Sequence, residues 1–319
     1  MYSVAEYGSM IADRVRMAAY VEALRRTIKP GCVVVDLGAG TGIFSLWAAR
    51  FGAGRVYAIE SNPAAYLLKE HAKRNGFADT IRVIPKASTK VELPELADVL
   101  VSDLRGASPL YARHIDVIKD ARQRFLAPRG VQVPMRDELH VSMVEGQTLL
   151  DHILRGTHGA DQPFDLSASR ESVLESDHPL PRSLSNLSFV GDSACWAALD
   201  YASPTLSADC SGEVTLHADR RVMAHGLVLS FRACLLGDSS AGPPIWFDSG
   251  RGGTTAYSPI FLPWPSPLAL DAGQAVRVAL RASWTPIGYI YSWQTDGGGV
   301  TFRHSNFHAF GPPPGVVDT

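Results

Sequence analysis

The sequence has few cysteines, almost no net charge and no long apolar run. Its four cysteines, Cys32, Cys195, Cys210 and Cys234, form no Cys-x-x-Cys pair, and no His/Cys spacing suits zinc. That pattern points to a reducing compartment and away from a structural metal. Lys and Arg number 30 against 32 Asp and Glu, for a formal charge of −2. A protein that grips duplex DNA by neutralising phosphates needs a basic excess, so nucleic acid is not an expected partner. No apolar run approaches the roughly 18 residues of a bilayer span. The first residues, Met1 to Asp13, lack a basic stretch followed by an apolar one. The expected setting is cytoplasmic, with no membrane partner. The chain has 319 residues, 46% of them hydrophobic, which suits a globular protein of one large or two smaller domains.

The first part alternates helices with apolar strands. A helix is expected from Tyr7 to Leu24 and is closed by Pro30-Gly31. Cys32 to Leu37 is a continuous β-branched run, the mark of a strand buried on both faces. Helices at Thr41–Phe51, Asn62–Asn75 and His114–Phe125 alternate with strands at Arg55–Glu60, Ile81–Pro85 and Ala97–Ser102. This alternation predicts βαβ units in a doubly wound α/β sheet. After Pro134 the pattern changes to short β-rich segments: Glu138–Glu145, Trp196–Tyr201, Glu213–Ala218, Gly226–Leu236, Ala275–Trp284, Gly288–Trp293 and Val300–Arg303. Turn residues separate them, as in an antiparallel barrel or sandwich. Tyr289, Tyr291 and Trp293 alternate and fit one face of a strand. The polar stretch Gln162–Pro181, helical over Ala168–Glu175, reads as an excursion from the barrel. Gly311 to Gly315 reads as an extended end.

The most informative local motif is Val35-Asp36-Leu37-Gly38-Ala39-Gly40-Thr41-Gly42, between a strand and a helix. Its glycines permit a sharp turn and close approach of the backbone to a ligand. A dinucleotide fingerprint reads G-x-G-x-x-G, and here the third glycine comes one residue early. Glu60 ends the next strand, twenty residues after Gly40, where a carboxylate can accept both hydroxyls of a ribose. A nicotinamide site or a purely structural turn is the competing explanation. Together the motif and this glutamate resemble motif I of the class I S-adenosylmethionine methyltransferases.

A second set narrows the resemblance. Tyr7, Met10, Asp13, Arg16 and Tyr20 are spaced to share one helix face. Downstream follow Leu93-Pro94, Ser102-Asp103, the run Ala121 to Gly130, and Val222 to Val228. In order and spacing these resemble the protein arginine N-methyltransferases, clearly to about Pro134 and loosely beyond. The resemblance implies a Rossmann-like domain over residues 1–134 and a β-barrel substrate domain over 135–319. It further implies a dimerisation arm near 162–181 and hence a homodimer. The cofactor would be S-adenosylmethionine, with S-adenosylhomocysteine as product. Arg16 would hold the methionine carboxylate, Asp36, Gly38, Gly40 and Gly42 would form the turn beneath the cofactor, and Glu60 would take the ribose. Lys86, Ala87 and Ser88 would lie against the adenine, although the family usually has Glu at the Ser88 position. An alternative for Arg16 is a surface ion pair.

The acceptor half departs from the family. Where the family has two glutamates in an acceptor loop, this chain has Asp103 and Ala112, with Arg105 and Arg113 nearby. Its Thr-His-Trp loop falls near Tyr257-Ser258-Pro259-Ile260, without the histidine or the tryptophan. One shortened acid flanked by two arginines suits a cation poorly. The expectation is therefore methylation of a non-arginine acceptor, a small metabolite or modified peptide. Asp103 and His304 are the candidate catalytic groups, and Tyr7, Met10, Arg105 and Arg113 the candidate acceptor contacts. Asp103 could instead cap the strand end, and the two arginines could solvate a loop. The alternatives are arginine methylation with Asp103 and a carboxylate drawn from Glu6, Glu138 or Glu145, and a dimeric scaffold without catalysis. His304 and His308 are four apart, but no third metal ligand accompanies them.

Overall fold

The computed structural model describes residues 2–155, 157, 163–180, 187–238, 242–251, 254 and 256–308. The tail at 311–315 and the ends of the 162–181 excursion lie outside them. The chain begins with two helices, α1 (Val4–Ala12) and α2 (Arg14–Thr27), where one was expected. Asp13 breaks them, with φ −68° and ψ 99°. Its carboxylate accepts the Arg16 backbone N–H at 2.9 Å and so caps α2.

The α/β part then runs β1 (Val33–Leu37), α3 (Ile43–Arg50), β2 (Arg55–Ile59), α4 (Ala64–Arg74), β3 (Ile81–Ile84), β4 (Ala97–Ser102), α5 (His114–Phe125) and β5 (Leu126–Val133). All neighbouring strands are parallel, in the order β3-β2-β1-β4-β5. Every residue of β1 is buried, as its β-branched run predicts. The strand order reverses at β1, so a crevice opens beyond the carboxyl ends of β1 and β4. The glycine motif and Asp103 follow directly on those two ends.

The sheet changes between Val133 and Arg136. From there the pairing is antiparallel. One sheet holds β6 (Arg136–Glu145), β7 (His178–Pro179), β8 (Ser188–Asp200), β10 (Val222–Leu236), β11 (Ile245–Asp248) and β12 (Ile260–Leu270). A second holds β9 (Cys210–His217), β13 (Ala275–Thr285), β14 (Gly288–Gly297) and β15 (Val300–Ser305). The two sheets meet through buried side chains, with Trp264 Nε1 donating to Thr295 Oγ1 at 3.1 Å. Tyr291 and Trp293 are both buried on β14, as their alternation predicts. Strand β12 was not expected, because Pro263, Pro265 and Pro267 interrupt it. At every second position the three missing N–H groups fall on one side of the strand. That is tolerable along an edge with no ladder partner, and β7 covers only Ile260 and Phe261.

Two helices, α6 (Gln147–Ile153) and α7 (Ser167–Leu174), form the excursion between β6 and β8. Leu149, Leu150, Leu154 and Leu174 pack with Val144, Val228 and Phe261 in a small core of their own. The main core runs continuously through the α/β part and the antiparallel part. The antiparallel sheets approach a barrel where β8 lies against β9. There a side chain on Gly212 would collide with the Trp196 carbonyl oxygen, and one on Gly191 with that of His217. Backbone cannot yield as a flexible side chain can. Gly212→Ala should therefore cost about 1–3 kcal/mol of stability, read as a lowered urea midpoint. A midpoint equal to wild type would mean that β8 and β9 do not close in this way.

Candidate active site

A cavity of about 970 Å³ opens at the strand-order reversal. Its floor is the glycine turn. Gly38, Gly40 and Gly42 take φ values of +71°, +54° and +92°, which side chains resist. A Cβ on Gly40 would also strike the Tyr7 ring. The turn is tied to the next strand by Gly38 and Ala39 N–H bonds to the Ile59 carbonyl. Glu60 accepts from Gly40 N at 2.8 Å and from Asn62 N at 2.7 Å. A carboxylate has room for further donors beyond these two, and Glu60 lines the cavity. Lys86, Ala87 and Ser88 line it as well.

Asp36 lies beneath the turn, buried outside the cavity lining, and accepts from Ser45 Oγ at 2.6 Å. Burial pushes its carboxyl up to about 7 despite that bond. Gly42 likewise lies behind the wall, its Cα directed at Leu68.

Arg16 forms the opposite wall. It is buried and lies over the Phe44 and Tyr20 rings, 5.1 and 5.4 Å from their centres. Its Nε and Nη2 each reach Asp103 Oδ2 at 2.7 Å, and Nη1 donates to the Met10 carbonyl at 3.1 Å. It is a buried ion pair, so the surface alternative does not hold. Asp103 also accepts from Tyr257 Oη at 2.6 Å and, through Oδ1, from Arg105 Nη1 at 3.0 Å. Burial alone would raise the Asp103 carboxyl, but Arg16 and Arg105 outweigh it and hold the group below its ordinary range.

Arg105 is where the structure corrects the sequence reading. Its side chain is fully enclosed, and its fork closes on Asp137 of β6 at 2.7 and 2.8 Å. It lines the cavity, but its charge is paired internally with Asp137 and Asp103 rather than left free for an anionic acceptor. Arg113 is exposed, 3.3 Å from Asp116, with its guanidinium 5.9 Å from the Trp284 ring. His304 is a second correction. It lies on β15, away from the cavity lining, stacked on Trp293 with Nδ1 3.0 Å from Glu175. As a strand residue it cannot share a helix face with His308. Among the described residues no His, Cys, Asp or Glu cluster suits a metal. Tyr7 and Met10 do line the cavity, as does Glu6, which also caps α1 through Ser3. Glu138 and Glu145 face Arg136 and Arg220 and do not line it.

Four site residues were missed in the sequence, His114, Asp137, Tyr201 and Tyr257, and Tyr20 was noted only as part of a helix face. Tyr257 was reachable, since it falls in the loop already under scrutiny. Asp137 carried no local signal, because its partner Arg105 is remote in the chain.

The comparisons agree with this geometry. The family profile described as the TRM5/TYW2 methyltransferase domain matches residues 1–122. Protein arginine N-methyltransferase 1.1 of Arabidopsis thaliana is 31% identical over 245 residues, 73% of this chain and 62% of that protein. Protein arginine N-methyltransferase 6 of Danio rerio is 33% identical over 175 residues, 53% of this chain and 50% of that protein. The chain thus spans only about half to three-fifths of these relatives' length. The solved Trypanosoma brucei PRMT1 enzyme–prozyme heterotetrameric complex with AdoHcy superposes at a TM-score of 0.82, with 23% identity. It covers 94% of this chain and 96% of that one. Arabidopsis thaliana protein arginine methyltransferase 10 gives 0.81 at 18% identity, covering 95% and 97%.

The chain is protein arginine N-methyltransferase-like.

Within that likeness, the loop from Asp103 to His114 has its own character. Ala112 sits at φ +44°. Such a backbone costs roughly 1–2 kcal/mol for a residue with a side chain, and here the Ala112 carbonyl is held by Trp284 Nε1 at 2.7 Å.

Two predictions follow from these buried ionisable groups. Arg105→Met strands a buried Asp137 and should cost about 3–5 kcal/mol in urea unfolding. A marginal effect on stability would return Arg105 to a role in acceptor binding. Asp36 titrates higher folded than unfolded, so its protonated form favours folding. That contribution fades as pH rises from its ordinary 3.8 through about 7. Asp36→Asn should flatten the stability profile across this window, and an unchanged slope would refute the assignment.

Proposed function

We propose that the chain is an S-adenosylmethionine-dependent N-methyltransferase whose acceptor is an arginine side chain of a protein. The observation that carries the cofactor is the grouping of Arg16, the glycine turn and Glu60 around one cavity. The residues fit the group: a buried cation at one end suits a carboxylate, and a carboxylate at the other suits ribose hydroxyls. The names of the relatives support arginine as the acceptor. When bound, the cofactor supplies a methyl group on a sulfonium.

The protein's part is alignment, which in favourable systems is worth roughly 7–11 kcal/mol. Arg16 holds one end of the cavity and is itself held by Asp103. Glu60 fixes the other end. Tyr7 and Met10, on α1, line the cavity. The arm near 162–181, which carries α7 and Phe164 at 71% exposed, is the surface we assign to a second copy of the chain. No described helix is long and apolar enough to cross a membrane.

A second reading is a non-arginine acceptor, favoured by one observation. Asp103 is already held by Arg16, Arg105 and Tyr257, and no carboxylate stands at Ala112 to oppose it.

The deciding experiment is calorimetry with S-adenosylmethionine and S-adenosylhomocysteine, beside tritium transfer to an arginine–glycine-rich peptide. Binding with transfer is the expected result. Binding without transfer would favour the second reading, and no binding would overturn both. Arg16→Ala should weaken binding by roughly tenfold to a hundredfold, the worth of one charge-assisted bond.

A further inference from the structure

His114, the first residue of α5, lines the cavity and is only 4% exposed. Its hydrogen bonds define which nitrogen carries the proton. The Asp137 carboxylate accepts from Arg105 and from Tyr201 Oη, whose one hydrogen is thereby used. Tyr201 Oη lies 3.0 Å from His114 Nε2 and can only accept there. His114 is therefore the Nε2–H tautomer, and Nδ1 carries a bare lone pair. Among the described residues Nδ1 has no hydrogen-bond partner, although it is enclosed. An enclosed acceptor without a donor is unfavourable, and the cavity that His114 lines is where a donor can come from.

We propose that His114 Nδ1 receives a hydrogen bond from the N–H or O–H group that is methylated, fixing which lone pair of that atom faces the cofactor. This rests on the methyltransferase reading of the cavity and narrows its acceptor. The acceptor must carry a hydrogen on its nucleophilic group. A carboxylate or a thioether would set lone pair against lone pair. An arginine side chain meets the condition, and so does an amine or a hydroxyl. Burial and the nearby Arg105 push the ring down to about 3, so it remains a neutral acceptor across physiological pH.

Two substitutions separate this role from simple support of Tyr201. His114→Asn keeps an acceptor near the Nδ1 position but loses the contact to Tyr201. His114→Gln keeps a donor for Tyr201 but loses the Nδ1 acceptor. Calorimetry with S-adenosylhomocysteine should show both variants binding as wild type does. With an arginine–glycine-rich peptide, His114→Gln should lose roughly a hundredfold in kcat with KM little changed, while His114→Asn retains most of the rate. The reverse order, or equal losses, would overturn the proposal. Nitrogen NMR of histidine-labelled, S-adenosylhomocysteine-loaded protein reads the ring without an acceptor. The expected signature is a pyridine-type Nδ1 and a pyrrole-type Nε2. A proton on Nδ1, or ring protonation near pH 6.5, would overturn the proposal. Should wild type bind S-adenosylhomocysteine yet leave the peptide unmethylated, arginine fails as acceptor and the NMR signature alone decides on His114. Should it bind no S-adenosylhomocysteine, the cavity assignment and this proposal fall together.

Discussion

Four buried charges of alternating sign, Arg16, Asp103, Arg105 and Asp137, join the parts of this molecule. Arg16 comes from α2, Asp103 and Arg105 from the loop after β4, and Asp137 from the first strand of the antiparallel half. Each contact in the chain is a hydrogen-bonded ion pair of 2.7 to 3.0 Å. Taking such charges out of water is costly, and only close pairing with filled hydrogen-bonding capacity offsets it. Here the capacity is met by Tyr20, Tyr201 and Tyr257. Any one charge left alone would be worse than none, so the four stand or fall together. The result is that the cofactor wall, the acceptor loop and the antiparallel half are held in one mutual geometry.

That economy has a consequence for recognition. The four charges sum to zero, and Asp103, the acid left in the acceptor loop, is engaged from three directions. A cationic acceptor entering the cavity meets a carboxylate whose field is largely cancelled by Arg16 and Arg105. Recognition then rests more on shape and on individual hydrogen bonds than on net attraction. The bare Nδ1 of His114 is one such bond. A guanidinium with its several N–H donors can satisfy single acceptors spread around a cavity as well as paired carboxylates.

How much of this could be read in the sequence depended on range along the chain. The glycine turn and Glu60 were legible because their chemistry is local: positive φ, a strand end, and one βαβ unit between them. The parallel sheet was legible from β-branched runs, and the antiparallel half from short strands and turns. Asp13 was less so, since a capping carboxylate inside an amphipathic stretch leaves the periodicity intact while breaking the helix. Strand β12 was hidden by three prolines whose shared side only the sheet reveals. Arg105 was misread for the plainest reason. Its partner Asp137 lies in the antiparallel half, and an arginine in a loop after β4 looks free until the fold closes around it. His304 was misread likewise, because Glu175 reaches it from the excursion.

The acceptor loop is held at both ends, and this bears on how the site works. At its start Asp103 is bound by three partners. At its end the strained Ala112 is clamped by Trp284, and His114 is locked to Tyr201. A loop so fixed has little conformational entropy left to lose when an acceptor enters, so its groups are already oriented. The price appears as the positive φ at Ala112 and the unpartnered nitrogen of His114, both within three residues of each other. Unfavourable terms that adjoin on the cavity lining are what an acceptor can relieve on binding. Ala112 is thus not simply a small residue in a loop. It is a clamped turn that aims the next helix, and His114 at its head, toward the cavity.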